Sequence, residues 1–264
     1  MDRLGKLLQI NRLLLDDQPE YRDDAESFPK DEGGQRRLMR SLMNVRPPKP
    51  VPPKLLRLQD LFLSEEREEK GIVHADALPA SVKDSRLCLF QGDITRLDAD
   101  AIVNAANSEL LGCFFPCHGC IDNAIHSAAG MELREACAEI MRGQGHEEPA
   151  GQAKITPGFC LPAKHVIHTV GPIICGPLTE DDEELLASCY RSCLECAGEN
   201  GLRSIAFCCI STGEFHFPNE RAAEIAVNTV EEYLDAHEGT SVRRVIFNVF
   251  KDLDRDIYRR ILET

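Results

Sequence analysis

Three thiols and one imidazole fall within eight positions of this 264-residue chain, at Cys113, Cys117, His118 and Cys120. Soft and borderline ligands so close together can converge on one ion, and zinc is the ion that such a mixture suits best. The spacing is not that of a zinc finger. No second cysteine pair stands elsewhere at ribbon spacing, so this one loop would build the site. Three protein ligands would leave the fourth tetrahedral position open to water or substrate, as in catalytic centres, whereas four would close it as a structural site. The plainer alternative is a group of small buried thiols beside a turn histidine, because free cysteine packs as a small hydrophobe.

Other polar groups stand where apolar runs end. Gly92-Asp93-Ile94-Thr95 follows one run, and Asn104-Ala105-Ala106-Asn107 closes the next. Taken singly, Asp93 suits a turn or a helix cap, and asparagine is as common in turns. Ser211-Thr212-Gly213-Glu214-Phe215-His216-Phe217-Pro218 lies between a strand pattern and a helix pattern. Such a turn presents backbone N–H groups to an anion, which is how an acidic protein can hold a diphosphate. Glu214 has the chemistry of a general base and equally that of a solvated loop carboxylate. Phe215 and Phe217, two apart, have the spacing of core residues. Phe250 falls where the last strand pattern meets the last helix. His165 and His168 are expected as partly buried strand residues outside the site. Cys189, Cys193 and Cys196 recur at helical spacing and fit one buried helix face. Cys208 and Cys209 fit a strand core.

The elements that must position these groups alternate in type. LCLFQGD, AIVNAAN, HVIHTV, SIAFCCI and RRVIFNVF have the length and composition of buried strands. CIDNAIHSAAGMELREACAEIMRG, DEELLASCYRSCLECAGENG and NERAAEIAVNTVEEYLDAHEG read as helices stopping at glycine, and DLDRDIYRRILE as a fourth. The alternation predicts an α/β layer domain over residues 81–264, with helices on both faces of a largely parallel sheet. In such sheets ligands collect beyond the carboxyl ends of the strands. Residues 1–80 have another texture and are expected as a helical extension. An amphipathic helix at the N-terminus precedes the proline-dense stretch from Arg46 to Pro53, and LLRLQDLFLSEEREEKG reads as a helix ended by Gly71. The proline stretch is predicted as extended, polyproline-like connection, a stiff linker rather than a ligand for a signalling module.

Composition narrows the function. A 43% hydrophobic and 28% charged chain can bury a sizeable core. Thirty basic against forty-four acidic residues leave a net charge of -14. With no segregated basic patch, that balance speaks against nucleic-acid binding. No apolar run approaches the roughly 20 residues that span a bilayer, and the N-terminus mixes charges into its leucines, so no membrane role and a cytoplasmic location are expected. The twelve cysteines are then thiols or metal ligands rather than a disulfide framework.

Together and in order, the Asp93 and Asn107 tetrads resemble the macrodomain signature. There, the aspartate recognises the adenine amino group of ADP-ribose and the last asparagine contacts the distal ribose. The loop looks like that of the zinc-dependent macrodomain family, protein-ADP-ribose hydrolases of bacteria and some eukaryotic microbes, with Gly112-Cys113-Phe114 followed by His118-Gly119-Cys120-Ile121-Asp122-Asn123-Ala124-Ile125-His126. Residue by residue, the resemblance implies Cys113, His118 and Cys120 as zinc ligands, with Cys117 able to substitute for a neighbour and His126 packing behind them. It implies an ADP-ribose site from Asp93, Ile94, Asn107, Ser211, Thr212, Gly213, Glu214, Phe215 and Phe250, with Asn107 the catalytic position. The Leu42-Met43-Asn44-Val45-Arg46-Pro47-Pro48 segment and Leu58-Gln59-Asp60 also resemble that family's N-terminal extension. The fold implied is a three-layer α/β/α macrodomain with a mostly parallel, mixed central sheet. The activity implied is removal of mono-ADP-ribose from modified side chains through an Asp or Glu ester. An ADP-ribose-binding module with structural zinc and an O-acetyl-ADP-ribose deacetylase are the alternatives. Implied partners are ADP-ribose, the modified protein, a lipoyl-carrier protein and a sirtuin-type ADP-ribosyltransferase.

Overall fold

A computed structural model describes residues 2–263. Four helices come first: α1 (Arg3–Asp17), α2 (Arg22–Glu26), α3 (Glu32–Val45) and α4 (Pro53–Lys70). Asp2 and Asp31 cap α1 and α3 by accepting from Gly5 N and Gly34 N at 2.8 and 2.7 Å. These bonds satisfy amides that the first turn leaves unpaired. Proline opens α4, where a missing N–H costs nothing, and Gly71 closes it at φ +76°. Leu7, Ile10, Leu14, Leu38, Met39, Leu55 and Phe62 bury their side chains together, joined by Met131 and Cys160 from later in the chain.

Between α3 and α4 the backbone is extended, as the prolines require. It is not the spacer expected of a stiff linker, however. Arg46 is only 2% exposed, and its guanidinium donates to Asp17, Lys49 O and Pro50 O at 2.8, 2.8 and 3.0 Å. A buried arginine bound to the segment's own carbonyls pins the segment down.

The remaining strands are β1 (Leu87–Gln91), β2 (Ala101–Ala105), β3 (Ala153–Pro157), β4 (His165–Thr169), β5 (Ser204–Phe207) and β6 (Arg244–Val249). They form one six-stranded sheet in the order β1-β6-β5-β2-β4-β3. Every pairing is parallel except that of β3 with β4. Helices α5 (Ile121–Ala129), α6 (Met131–Gln144), α7 (Glu180–Glu199), α8 (Asn219–Ala236) and α9 (Asp252–Glu263) complete a three-layer α/β/α arrangement around a mixed sheet. The strand interiors are buried on both faces, as the unbroken apolar runs require.

Two local outcomes differ from the sequence pattern. Strand β3 is an addition at the sheet edge. The expected long helix after Cys120 is two helices, broken at Gly130 with φ +99°. A β-carbon there would lie 2.6 Å from Gln59 Nε2, and Gln59 Oε1 accepts from Met131 N at 2.8 Å. The break is therefore where α4 docks. No described helix is long and apolar enough to cross a membrane.

Candidate functional site

Strands β1, β6, β5 and β2 are adjacent and parallel, so the segments leaving their carboxyl ends emerge along one edge of the sheet. That topology gathers Asp93, Asn107, the 113–120 loop, the 211–217 turn and Phe250 on a single rim.

The 113–120 loop closes on three residues that could hold a metal ion. One ligand atom each of Cys113, His118 and Cys120 lies within 4.8 Å of the other two. His118 Nδ1 is buried without a hydrogen-bond partner. Cys120 caps α5, its sulfur accepting from Asn123 N at 3.4 Å. Burial pushes the Cys120 thiol up to about 12, opposed by the Asn123 amide and reinforced by Cys113 and Asp122. Two convergent thiols and an unpartnered imidazole nitrogen form a donor set that fits zinc, whose charge would stabilise a thiolate at Cys120.

Cys117 does not join this set. Its backbone sits at φ +54°, its N–H donates to Asn44 Oδ1 at 2.9 Å, and its sulfur lies 3.3 Å from Ser41 Oγ. It faces α3, outside the cluster of Cys113, His118 and Cys120. His126 is also outside the set. It is buried beneath Gly112, whose φ is +77°, and a β-carbon there would lie 2.9 Å from His126 Cγ.

A second group of potential ligands, His126, Cys137 and His168, lies deeper. His168 is completely buried rather than partly so, at the register where β4 meets Asn104 of the central strand β2. Both its nitrogens are engaged, Nε2 with Thr156 Oγ1 at 3.0 Å and Nδ1 with Asn104 Nδ2 at 3.2 Å. Asn104 in turn donates to Asp122 Oδ1 at 2.8 Å. Burial lowers His168 to about 4 and holds His126 well below the usual imidazole range. These neutral rings support the loop from below.

The 211–217 turn is held mainly by its own backbone. Phe217 N donates to Ser211 O at 2.9 Å and His216 N to Gly213 O at 3.1 Å, while Ile174 N donates to Phe215 O at 2.9 Å from a neighbouring loop. Ser211 and His216 take left-handed φ values of +63° and +58°. Among the described residues, the amides of Gly213, Glu214 and Phe215 donate to no protein group. Phe217 is core, as expected, whereas Phe215 is half-buried. Glu214 is exposed, and its Oε1 lies 3.8 Å from His118 Nε2, bringing turn and metal loop together.

Asp93 caps a short 3-10 turn, its Oδ1 accepting from Thr95 N and Oγ1 at 3.0 and 2.7 Å, which leaves Oδ2 without a protein partner. Ile94, next to it, is buried at 1% exposure. Asn107 braces the loop by donating to Gly112 O at 3.3 Å and accepting from Glu109 N at 3.1 Å. Phe250 is 76% exposed at the end of β6. Sequence reasoning missed the side chains that grip the metal loop from elsewhere. Arg40 and Asn44 come from α3. Arg134 on α6 donates to Leu111 O at 2.6 Å and to Met43 O and Asn44 O at 3.2 and 2.7 Å. Asn44 lies in the Leu42–Pro48 segment singled out above, but nothing local in the sequence ties it, Arg40 or Arg134 to this loop.

The Macro domain family pattern matches residues 103–226. A Treponema medium protein named protein-ADP-ribose hydrolase is 52% identical over 251 residues, covering 94% of this chain and 95% of that protein. Among solved structures, a mutant Oceanobacillus iheyensis macrodomain with ADPR superposes with a TM-score of 0.62 at 42% identity, covering 70% of this chain and 97% of that one. A Trypanosoma brucei macrodomain in complex with ADP-ribose gives a TM-score of 0.65 at 31% identity, covering 84% and 94%.

Proposed function

The chain belongs to the Macro domain family, and on that premise we propose that it is a zinc-dependent hydrolase removing mono-ADP-ribose from protein side chains linked through an Asp or Glu ester. The observation that carries this reading is the convergence of Cys113, His118 and Cys120 between Asn107 and the Glu214 turn. Relatives named protein-ADP-ribose hydrolase and macrodomains solved with ADP-ribose support the same pocket chemistry.

Each protein group then has a task. The unpartnered Asp93 Oδ2 accepts from the adenine amino group, and the adjoining Ile94 backbone lines that end. The free amides of residues 213–215 hold the diphosphate, with Ser211 and Thr212 shaping the turn. The half-buried Phe215 flanks the ribose, and Phe250 lies against the adenine side. Asn107, already oriented by Gly112 and Glu109, positions the distal ribose. Cys113, His118 and Cys120 would hold zinc, which supplies Lewis acidity where the ester linkage is cut. Glu214 is the carboxylate available to take a proton from water at Oε1. The lipoyl-carrier protein and sirtuin-type transferase belong to this proposal as carrier and as source of the modification.

The test pairs elemental analysis of protein purified without added metal with ADP-ribose release from a glutamate-modified carrier, before and after chelation. Near-stoichiometric zinc with chelator-sensitive release is expected. Full release from a verified zinc-free sample overturns the metal's role, and zinc without release makes the chain a binding module.

A further inference from the structure

The metal-ligand loop has no regular structure from Asn107 to Gly119. It includes left-handed backbone at Leu110 and Cys117, with φ of +57° and +54°. Non-glycine residues hold such conformations only where surrounding groups over-determine them. The exposed Phe115, Pro116 and Gly119 offer little packing of their own. Asn107 braces the first half of the loop from within, whereas its 113–120 end is gripped from outside, in part by one side chain of the N-terminal extension.

We propose that Arg40, on α3, is a positioning residue for the metal-ligand loop, setting the placement of all three ligands before metal arrives. This rests on the reading that Cys113, His118 and Cys120 bind zinc. Arg40 Nη2 donates to the carbonyl oxygen of His118 at 3.0 Å and to Asn123 Oδ1 at 2.7 Å, while Nε donates to the same Oδ1 at 3.1 Å. Asn123 is fully buried and carries the grip onward. Its Nδ2 donates to Phe115 O at 2.9 Å and to Cys113 O at 3.5 Å, and its N–H donates to Cys120 Sγ at 3.4 Å. One guanidinium thus reaches His118 directly, and Cys113 and Cys120 through a single amide residue.

The same network closes through a second residue of α3. Asn44 Oδ1 accepts from Cys117 N at 2.9 Å, and Asn44 Nδ2 donates to Ser127 Oγ at 3.0 Å. Ser127 Oγ donates to Asn123 Oδ1 at 3.2 Å. Every polar atom of the Asn123 side chain is engaged, so its orientation is fixed by partners on three elements. Arginine suits the position because its rigid planar fork reaches two acceptors at once, which a single ammonium on a flexible stem does not. The extension therefore completes the metal site although it supplies no ligand. Outer partners that orient metal ligands typically change metal affinity by about 10- to 100-fold when removed.

The experiment measures zinc affinity by competition with a chromogenic chelator, alongside melting temperature, for the full-length wild type, Arg40→Met, Arg40→Lys and Arg36→Met. Arg36 is the control. It lies on the same helix, but its bonds, to Glu66 at 2.7 and 2.8 Å, stay within the extension. Expected is a roughly 10- to 100-fold loss of zinc affinity in Arg40→Met, a smaller loss in Arg40→Lys, and wild-type affinity in Arg36→Met even if it melts earlier. Equal weakening in Arg40→Met and Arg36→Met overturns the proposal, because general loosening of the extension would then explain both. Wild-type affinity in Arg40→Met also overturns it. A wild type that binds no zinc overturns the metal reading itself, an outcome distinct from either.

Discussion

The metal-ligand loop and the 211–217 turn both join a parallel strand to a helix on the same rim, yet they are held in opposite ways. Side chains from α3, α5 and α6 grip the loop at its carbonyls and at the Cys117 amide. The turn is closed by its own backbone bonds and one from Ile174, with consecutive amides left bare. The difference suits the two tasks proposed for them. Metal ligands are side chains whose geometry has to be set from behind, whereas an anion site made of N–H groups would be blocked by the same bracing. Cys113→Ala is the strongest way to separate the two. Zinc content should collapse, and ADP-ribose release from a modified carrier should fall by more than the about 100-fold expected for losing a ligand's neighbour. Affinity for free ADP-ribose should stay within a few-fold by calorimetry. Equal loss of affinity would show that loop and turn are one unit.

Acid should attack the braced side. Glu66 is buried in the extension against Arg36, with Arg3 and Lys70 nearby. Burial pushes its carboxyl up, but the hydrogen bond and charge of Arg36, aided by Lys70 and Arg3, outweigh that and lower it from 4.5 to about 2. A folded-state pKa below the unfolded one stabilises at neutral pH, and that stability is lost as pH falls from about 4.5 through about 2. The shift corresponds to about 3 kcal/mol. Thermal melts at pH 7 and pH 2.5 should therefore show a larger acid loss for wild type than for Glu66→Gln. Parallel losses would detach the extension's stability from this carboxylate.

How far the sequence spoke depends on how local each signal was. The five buried parallel strands were legible because continuous apolar runs admit few other fates. The clustering of Cys113, His118 and Cys120 was legible because the three sit within eight positions. Strand β3, Ala153 to Pro157, was not, since only Thr156 is buried and proline ends it, a pattern belonging to an edge. The break at Gly130 was hidden because apolar periodicity runs through it, and only Gln59, far back in the chain, reveals why glycine is needed. Cys117 shares the local spacing of its neighbours, and only long-range contacts with Ser41 and Asn44 show that it faces away from them. Arg40 lies 78 residues from His118, a separation at which no spacing rule operates.

The turn can be tested from beneath through Gly171. A β-carbon there would lie 2.0 Å from Ser211 Oγ and 2.9 Å from Ile210 Cγ2. Gly171→Ala should cost about 1–3 kcal/mol of stability as an overpacked site and weaken ADP-ribose binding, leaving zinc affinity at wild type. Ser211 Oγ is buried without a partner, and its backbone is left-handed, so adding Ser211→Gly should recover much of the loss. Failure of that rescue would place the strain at Ile210 instead.

The smallest expected effect is the most discriminating for the adenine end. An aromatic ring 76% exposed at the end of β6 contributes little to folding, because few of its atoms leave water. Phe250→Ala should therefore change stability by less than about 0.5 kcal/mol, in line with other surface substitutions. If the ring lies against adenine, the same change removes an aromatic contact worth about 1 kcal/mol, and ADP-ribose affinity drops roughly fivefold. Zinc affinity should not move, since no bond of Phe250 reaches the metal loop. A fall in melting temperature with ADP-ribose affinity intact would make Phe250 a packing residue and leave Asp93 as the adenine contact on this side of the rim.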